Sequence, residues 1–246
     1  MFTRAICPVL VVVLTCAGTA TADTVFIGAS QDNTLYESDT GGLSNGGGQY
    51  FFAGRTAQGD GSIRRGLLAF DIAGDVPAGS IITDVSLALH MSKTITGPQD
   101  VALHRSLADW GEGASDAPGQ EGAGTAAAMG DATWLHTFYD TDFWATAGGD
   151  YAAVPSATTS VADVGYYSWT SADMVADVQE WLDTPDENYG WFLVGNELTL
   201  ATAKRFDTRE NPTADFRPVL TVEYVPEPAS LALLLLGAAA VVTRRR

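Results

Sequence analysis

Cysteine is nearly missing from this sequence. Only two occur among its 246 residues, Cys7 and Cys16, and both lie in the apolar segment at the N-terminus. The rest of the chain therefore has no thiol that could form a disulfide or bind a metal ion.

Basic residues are also scarce, with 13 Lys and Arg against 30 Asp and Glu. Four of the arginines and one of the acids lie outside residues 23–225, which leaves 9 basic and 29 acidic residues there and a net charge of about −20 with His neutral. Such a charge repels phosphate groups and anionic membrane surfaces, so we expect no nucleic acid partner. It suits divalent cations, although acidity also serves solubility.

Recognisable catalytic patterns are absent as well. The histidines His90, His104 and His136 lack the His-x-x-x-His spacing that places two metal ligands on one helical face. The stretch Gly42 to Gly46 has the spelling of a nucleophile elbow, but it lies in a glycine-rich loop that leads into a predicted strand. The sequence therefore predicts a protein that is not an enzyme and requires no cofactor.

The first 22 residues have the three parts of a secretory signal. Arg4 supplies the positive region, Ala5 to Leu14 the apolar stretch, and Ala20 to Ala22 the small residues of a cleavage site before Asp23. The apolar stretch is too short to cross a bilayer. We therefore predict an exported protein from which residues 1–22 are removed.

Residues 225–246 combine a short motif, an apolar run and a basic cluster. These parts are Val225, Pro226, Glu227 and Pro228, then Ala229 to Val242, then Arg244, Arg245 and Arg246. In this order they resemble the sorting signal called PEP-CTERM. The resemblance implies processing by exosortase, a membrane protease of bacteria that have an outer membrane, and transient insertion in the inner membrane before the tail is cleaved.

A permanent C-terminal anchor is the alternative interpretation of this tail. As a helix, the apolar run would span about 21 Å of a hydrocarbon core about 30 Å thick. The three arginines beyond it would stay on the cytoplasmic side and leave the preceding chain outside. The run predicts a C-terminal apolar helix in either case.

Residues 23–224 carry the two-residue periodicity of β-strands. Val85, Leu87, Leu89 and Met91 alternate with small or polar residues, as in a strand with one buried face. Comparable runs, punctuated by Gly, Asn, Asp and Pro, are Tyr50 to Ala53, Ile63 to Ile72, Asp100 to Leu107, Tyr166 to Thr170, Trp191 to Val194 and Val219 to Val225. Many short strands with such turns predict one mainly β domain, an antiparallel β-sandwich or jelly roll.

Two segments of this range depart from the strand pattern. Apolar residues recur at helical spacing between Ser171 and Asp183, with a capping hydroxyl before them and Pro185 beyond the end. They predict one amphipathic helix over about 171–183. The stretch Gly111 to Gly130 is rich in Gly and Ala and predicts a long surface loop.

Aromatic residues concentrate in segments without a strand period. Flat aromatic faces on loops hold sugar rings in many glycan-binding modules, because C–H faces stack on π systems. The candidate glycan-binding residues are Trp110, Trp134, Tyr139 and Trp144, with the basic residues Lys204 and Arg205. The alternative is that a long loop packs down through a satellite hydrophobic cluster and that the bases pair with the surplus acids.

Three acids near predicted strands are candidates for a structural calcium site, because Ca²⁺ prefers carboxylate and carbonyl oxygens. They are Asp32, Glu37 and Asp71. The alternative for each is a turn-forming or solvated surface role. An EF-hand is not expected from the acids near Asp186, because Trp191 stands where that loop requires glycine.

A series of short motifs runs through the same range. They are Asp32 to Glu37, Arg65 to Asp71, Trp110 to Gly113, Ala132 to Trp134, Gly148 to Asp150, Tyr189 to Trp191, Phe206 to Asn211 and Arg217 to Leu220. In this order they resemble the DNRLRE domain, grouped with carbohydrate-binding module family 96. The resemblance implies a β-sandwich that binds extracellular polysaccharide such as alginate.

The motif that gives this family its name departs at two positions here, where Thr34 and Tyr36 stand in place of arginines. With a net charge of about −20 between residues 23 and 225, a neutral glycan, or an acidic one bridged by Ca²⁺, is physically easier to bind.

These features together predict an exported, non-catalytic protein of the cell surface or extracellular matrix of an outer-membrane-bearing bacterium, with an extracellular polysaccharide as its partner. A structural or adhesion protein of the matrix without glycan specificity is one alternative. A polysaccharide lyase or hydrolase on a jelly roll is the other.

Overall fold

A computed structural model describes residues 21–227 and confirms the mainly β prediction. The strands are β1 (Asp23–Tyr36), β2 (Leu43–Ser44), β3 (Tyr50–Arg55), β4 (Ile63–Phe70), β5 (Ile81–Lys93), β6 (Gln99–Arg105), β7 (Thr125–Ala126), β8 (His136–Phe138), β9 (Asp142–Phe143), β10 (Ala157–Val161), β11 (Gly165–Thr170), β12 (Trp191–Val194), β13 (Lys204–Asp207) and β14 (Val219–Val225). The α-helices are α1 (Ile72–Asp75) and α2 (Ala172–Asp183), and two short 3-10 turns lie at Pro185–Glu187 and Ala214–Phe216.

The main strands pair antiparallel in two layers. In the first layer β14 lies between β1 and β5, β11 also pairs with β5, and β13 joins the far end of β5 to β3. In the second layer the order is β1, β4, β12, β6, β10. The arrangement is the antiparallel sandwich that the sequence predicts.

Strand β1 belongs to both layers. Its first residues pair with β14, and from Ala29 onward it pairs with β4. A register shift between Ala29 and Gln31 marks the crossing, as β-bulges often do where a strand bends. The two-residue period does not predict this strand, because a strand that changes layers across a bulge does not keep one such period.

The main core lies between the two layers. The alternating residues Val85, Leu87, Leu89 and Met91 of β5 are fully buried in it, as predicted. Helix α2 closes part of this core with Met174, Val178, Trp181 and Leu182. Its N-cap is Ser171, whose Oγ accepts the Met174 N–H at 3.0 Å, so the predicted amphipathic helix is confirmed with its cap.

A second hydrophobic cluster lies on the opposite face of β4 and β12. Leu67, Ala69 and Phe192 point into it, while their strand neighbours point into the main core. Residues 107–151, which we call the cover segment, supply the other side of this cluster with Trp110, Ala132 and Trp144. The stretch Gly111 to Gly130, predicted as a long surface loop, has no regular structure except β7, although Ala117 and Glu121 within it are buried.

The predicted C-terminal apolar helix and most of the predicted secretory signal lie outside the described residues. Within residues 21–227, no helix has the length and apolar character needed to cross a bilayer.

Candidate functional site

Trp110 and Trp144, two of the predicted glycan-binding residues, are buried in the second cluster. Their exposed fractions are 1% and 6%. Each indole N–H is bonded to a backbone carbonyl, Trp110 to Tyr189 O at 2.8 Å and Trp144 to Thr133 O at 2.9 Å. A buried ring with a satisfied N–H has no free face for a sugar, so we leave both out of the proposed binding surface.

Trp134 is partly buried beneath an ion pair. The Arg65 guanidinium lies 4.8 Å from the centre of its ring and is bonded to Glu197 through Nε at 2.7 Å and Nη2 at 2.9 Å. Arg65 also donates to Gly148 O at 2.7 Å, which ties the cover segment to β4. The contact between Trp134 and Arg65 thus helps to hold the cover segment on β4.

Lys204 and Arg205, the predicted basic partners, are also turned into the fold. Lys204 is fully buried, and its Nζ donates to Thr94 Oγ1 and to the carbonyls of Thr96, Gly97 and Ala162. Burial lowers the pKa of Lys204, and Asp163 partly opposes this. An ammonium with four acceptors is a structural clamp rather than a surface charge.

Arg205 lies on β13 with its guanidinium 3.6 Å from the centre of the Tyr50 ring. Its Nε donates to Ser92 Oγ at 3.0 Å and its Nη1 to Gln120 Oε1 at 2.9 Å. These contacts join β5 and the cover segment to β13. The guanidinium is thus already engaged within the protein, although with neutral partners and not with the surplus acids that the alternative named.

Tyr139, another predicted glycan-binding residue, is half-buried and lies next to an exposed aromatic ring. It follows β8 in the hairpin formed with β9, where Phe143 is 64% exposed. The buried ring of His136 supports both, with ring centres 5.1 Å from Tyr139 and 4.3 Å from Phe143. The carboxylates of Asp140 and Asp142 are exposed on the same hairpin. We call Tyr139, Phe143, Asp140 and Asp142 the hairpin surface.

The three predicted calcium ligands lie in three separate environments. Glu37 Oε2 accepts the N–H groups of Ser62 and Ile63 at 2.7 and 2.9 Å, and Asp71 Oδ1 accepts the N–H of Gly74 at 3.0 Å as the N-cap of α1. Asp71 therefore has the turn-forming role that was the alternative, and Glu37 holds the backbone at the start of β4. Asp32 differs, because it is fully buried on β1 beside two other carboxylates.

The group of Asp32, Glu112 and Glu210, which we call the acidic cluster, draws on three parts of the chain. One oxygen from each residue lies within 4.8 Å of the other two. Glu112 comes from the cover segment and Glu210 from the turn between β13 and β14. Glu112 and Glu210 were not among the predicted calcium ligands, although both fall in motifs of the DNRLRE resemblance, Trp110 to Gly113 and Phe206 to Asn211.

Glu112 is held in place by the glycines on either side of it. Gly113 has a φ of +70°, and a Cβ there would lie 1.7 Å from Asp131 Oδ1, while a Cβ at Gly111 would lie 1.8 Å from Gly130 O. The backbone of this turn can therefore be formed only by glycine at both positions. It directs Glu112 toward β1, where Glu112 Oε1 accepts the N–H of Asp32 at 2.8 Å.

Arg209 is the cation of the acidic cluster. Its Nε donates to Glu112 Oε1 at 2.8 Å and lies 2.9 Å from Glu210 Oε1, and its backbone N–H donates to Asp32 Oδ2 at 2.8 Å. Burial and then the charge of Glu210 raise the pKa of Asp32 well above its usual value, and burial followed by Glu112 raises that of Glu210. The bond to Glu112 raises the pKa of Arg209.

The C-terminal residues match a known family of sorting motifs. Residues 225–246 match the PEP-CTERM protein-sorting motif. Val225 is the last residue of β14, Pro226 and Glu227 follow it, and Pro228 and the three arginines lie outside the described residues. No curated protein matches the chain. The motif marks an exported protein that is sorted by exosortase, a membrane protease, and is held at the membrane before the tail is cleaved.

Proposed function

We propose that this chain is a non-catalytic protein of the cell surface or extracellular matrix that binds polysaccharide through the hairpin surface. The sorting motif supports an extracellular role. The resemblance to the DNRLRE domain supports a glycan as the ligand. The observation that carries the proposal is the exposed ring of Phe143 beside the half-buried ring of Tyr139, both packed on His136.

The hairpin surface has the chemistry that a sugar needs. The face of Phe143 is available for stacking on the C–H face of a pyranose ring, and the carboxylates of Asp140 and Asp142 accept hydrogen bonds from hydroxyl groups. The ring of His136 packs under both Tyr139 and Phe143. His136 is itself held in place, because its Nδ1 lies 2.9 Å from Thr133 Oγ1. A platform that is rigid before binding loses little conformational entropy when the sugar arrives.

Charge favours a neutral glycan as the ligand. The positions that carry arginines in the DNRLRE motif hold Thr34 and Tyr36, and both are buried. The two aspartates of the hairpin surface would repel a uronate unless a divalent cation lay between them. We therefore expect tighter binding to neutral polysaccharides than to alginate, and binding to alginate only with Ca²⁺ present.

Affinity electrophoresis through gels that contain neutral polysaccharides or alginate tests this proposal. We expect retardation of the secreted protein, and loss of at least about 1.4 kcal/mol of binding free energy, a factor of ten, in Phe143→Ala. Phe26→Ala is the matched control, because Phe26 is 72% exposed on β1 and contributes to neither hydrophobic cluster. No retardation on any glycan, or equal loss in both variants, would contradict the proposal.

A structural matrix protein without glycan specificity is the second candidate. It is favoured by the burial of Trp110 and Trp144, which leaves few aromatic faces for sugar. In that case the protein would pass unretarded through every gel and would self-associate in sedimentation. An enzyme would instead release reducing or unsaturated sugars from polysaccharide, and we expect no such release.

A further inference from the structure

We propose that the acidic cluster of Asp32, Glu112 and Glu210 binds one Ca²⁺ ion. The three carboxylates converge from β1, the cover segment and the turn before β14. This site shares no residue with the hairpin surface, and it does not depend on glycan binding.

The spacing of the oxygens suits a calcium ion. Ca²⁺ is bound by oxygens about 2.3–2.6 Å away, so two ligand oxygens around one ion lie up to about 5 Å apart. In the acidic cluster one oxygen of each carboxylate lies within 4.8 Å of the others. A single ion can therefore contact all three residues with small side-chain movements.

Two oxygens of the cluster also lack partners inside the protein. Asp32 is fully buried, and its Oδ1 accepts no hydrogen bond from the described residues, nor does the buried Oε2 of Glu210. A carboxylate oxygen removed from water without a donor is costly, and native proteins rarely leave one so. The remaining oxygens accept from Arg209 and from the Asp32 N–H. A bound cation would coordinate the unpaired oxygens of Asp32 and Glu210.

Charge balance favours a divalent ion. Binding of the ion requires all three carboxylates to be ionised, and together with one guanidinium they then carry a local charge of about −2 for the ion to balance. Ca²⁺ cancels that charge and tolerates irregular coordination completed by water. Mg²⁺ requires near-ideal octahedral geometry and dehydrates reluctantly, so it suits these partly buried carboxylates less well.

A bound ion would fix the part of the cover segment around Glu112 to the sandwich. Residues 32, 112 and 210 are far apart in sequence, and an ion bound by all three fixes their segments to one another. Extracellular calcium modules commonly bind with dissociation constants of about 10⁻⁴–10⁻³ M. We expect an affinity in this range for the exported protein.

Calorimetric titration of the secreted protein with CaCl₂, after removal of metals by EDTA, tests the site. We expect saturation at one Ca²⁺ per chain, a higher melting temperature with Ca²⁺, and an affinity at least about tenfold lower in Glu210→Gln. Glu187→Gln is the matched control, because Glu187 is an exposed glutamate on a 3-10 turn and belongs to no cluster. It should bind as the wild type does.

Absence of saturable binding up to about 10 mM Ca²⁺ would overturn the site, and so would equal affinity in the two variants. If Glu210→Gln does not fold, hydrogen exchange of the wild type decides. Slower exchange with Ca²⁺ at the amides of Asp32 and Arg209 supports the site. Protection confined to other residues refutes it.

Discussion

The two faces of the layer formed by β4 and β12 are both buried, but by different means. The inner face packs against strands of the other layer and against α2. The outer face packs against the cover segment, whose tryptophans Trp110 and Trp144 are each bonded to one backbone carbonyl. Regular secondary structure therefore seals one face, and an irregular segment held by large aromatic anchors seals the other.

This difference explains why aromatic residues in a loop are weak evidence for a sugar site. A segment without strands or helices has few ways to bury apolar area, so a small number of large rings must do most of it. The rings left over for recognition are those that the second cluster does not use. In the cover segment these include the half-buried Phe138 and Tyr139 and the exposed Phe143.

The largest effect is expected for Trp191→Ala on the inner face. Trp191 is fully buried, its ring centre lies 4.5 Å from that of Trp181, and its indole N–H donates to Asp177 Oδ2 at 2.8 Å. Truncation should reduce the free energy of unfolding by about 3–5 kcal/mol, because it leaves a large cavity and removes a hydrogen bond. Urea unfolding followed by circular dichroism measures the loss. A decrease in the free energy of unfolding of less than about 1 kcal/mol would show that Trp191 contributes little to the stability of the fold.

A smaller effect is expected for Trp110→Ala on the outer face, about 2 kcal/mol, because the cover segment can open without unfolding the sandwich. Hydrogen exchange should quicken at the amides of Gly111 and Ala132, which bond within the cover segment. The amides of β5 should keep their wild-type protection. Equal acceleration in both regions would mean that the two faces unfold as one unit.

The smallest effect is a change of stability with pH. On the inner face the indole of Trp191 bonds to the carboxylate of Asp177, which titrates, whereas on the outer face Trp110 bonds to a backbone carbonyl. Burial raises the pKa of Asp177 from its usual value of 3.8, although Ser156 and Trp191 oppose this. A raised carboxyl pKa in the folded state stabilises below the unfolded pKa, and that contribution is lost as pH rises through the folded pKa. The wild type should therefore lose stability relative to Asp177→Asn as pH rises above about 4.

Paired urea titrations of the two proteins between about pH 4 and pH 7 measure this difference. Trp110→Ala provides the comparison, because the partner of Trp110 is the carbonyl of Tyr189 and does not titrate. Its stability relative to the wild type should stay constant over the same range. A difference between wild type and Asp177→Asn that does not change with pH would refute the role of Asp177.

Local patterns in the sequence were sufficient for several features of this protein. The tail at residues 225–246, the strand β5 and the capped helix α2 were all predicted correctly. Each depends on residues within about one strand or a few helical turns, where periodicity and capping act directly. The antiparallel sandwich follows from many such strands with short turns.

Other features were decided only by tertiary structure. Whether Trp110 faces water or the sheet depends on Phe192 and Leu67, which lie in strands that the chain reaches much earlier or later. The acidic cluster is a similar case, because Asp32, Glu112 and Glu210 meet only after β1, the cover segment and the β13–β14 turn have packed. Sequence by itself determined the sorting motif at residues 225–246 and the local elements, since these depend on neighbours in the chain. The burial of Trp110 and the meeting of the three carboxylates depend on contacts between distant segments, which no local sequence pattern specifies.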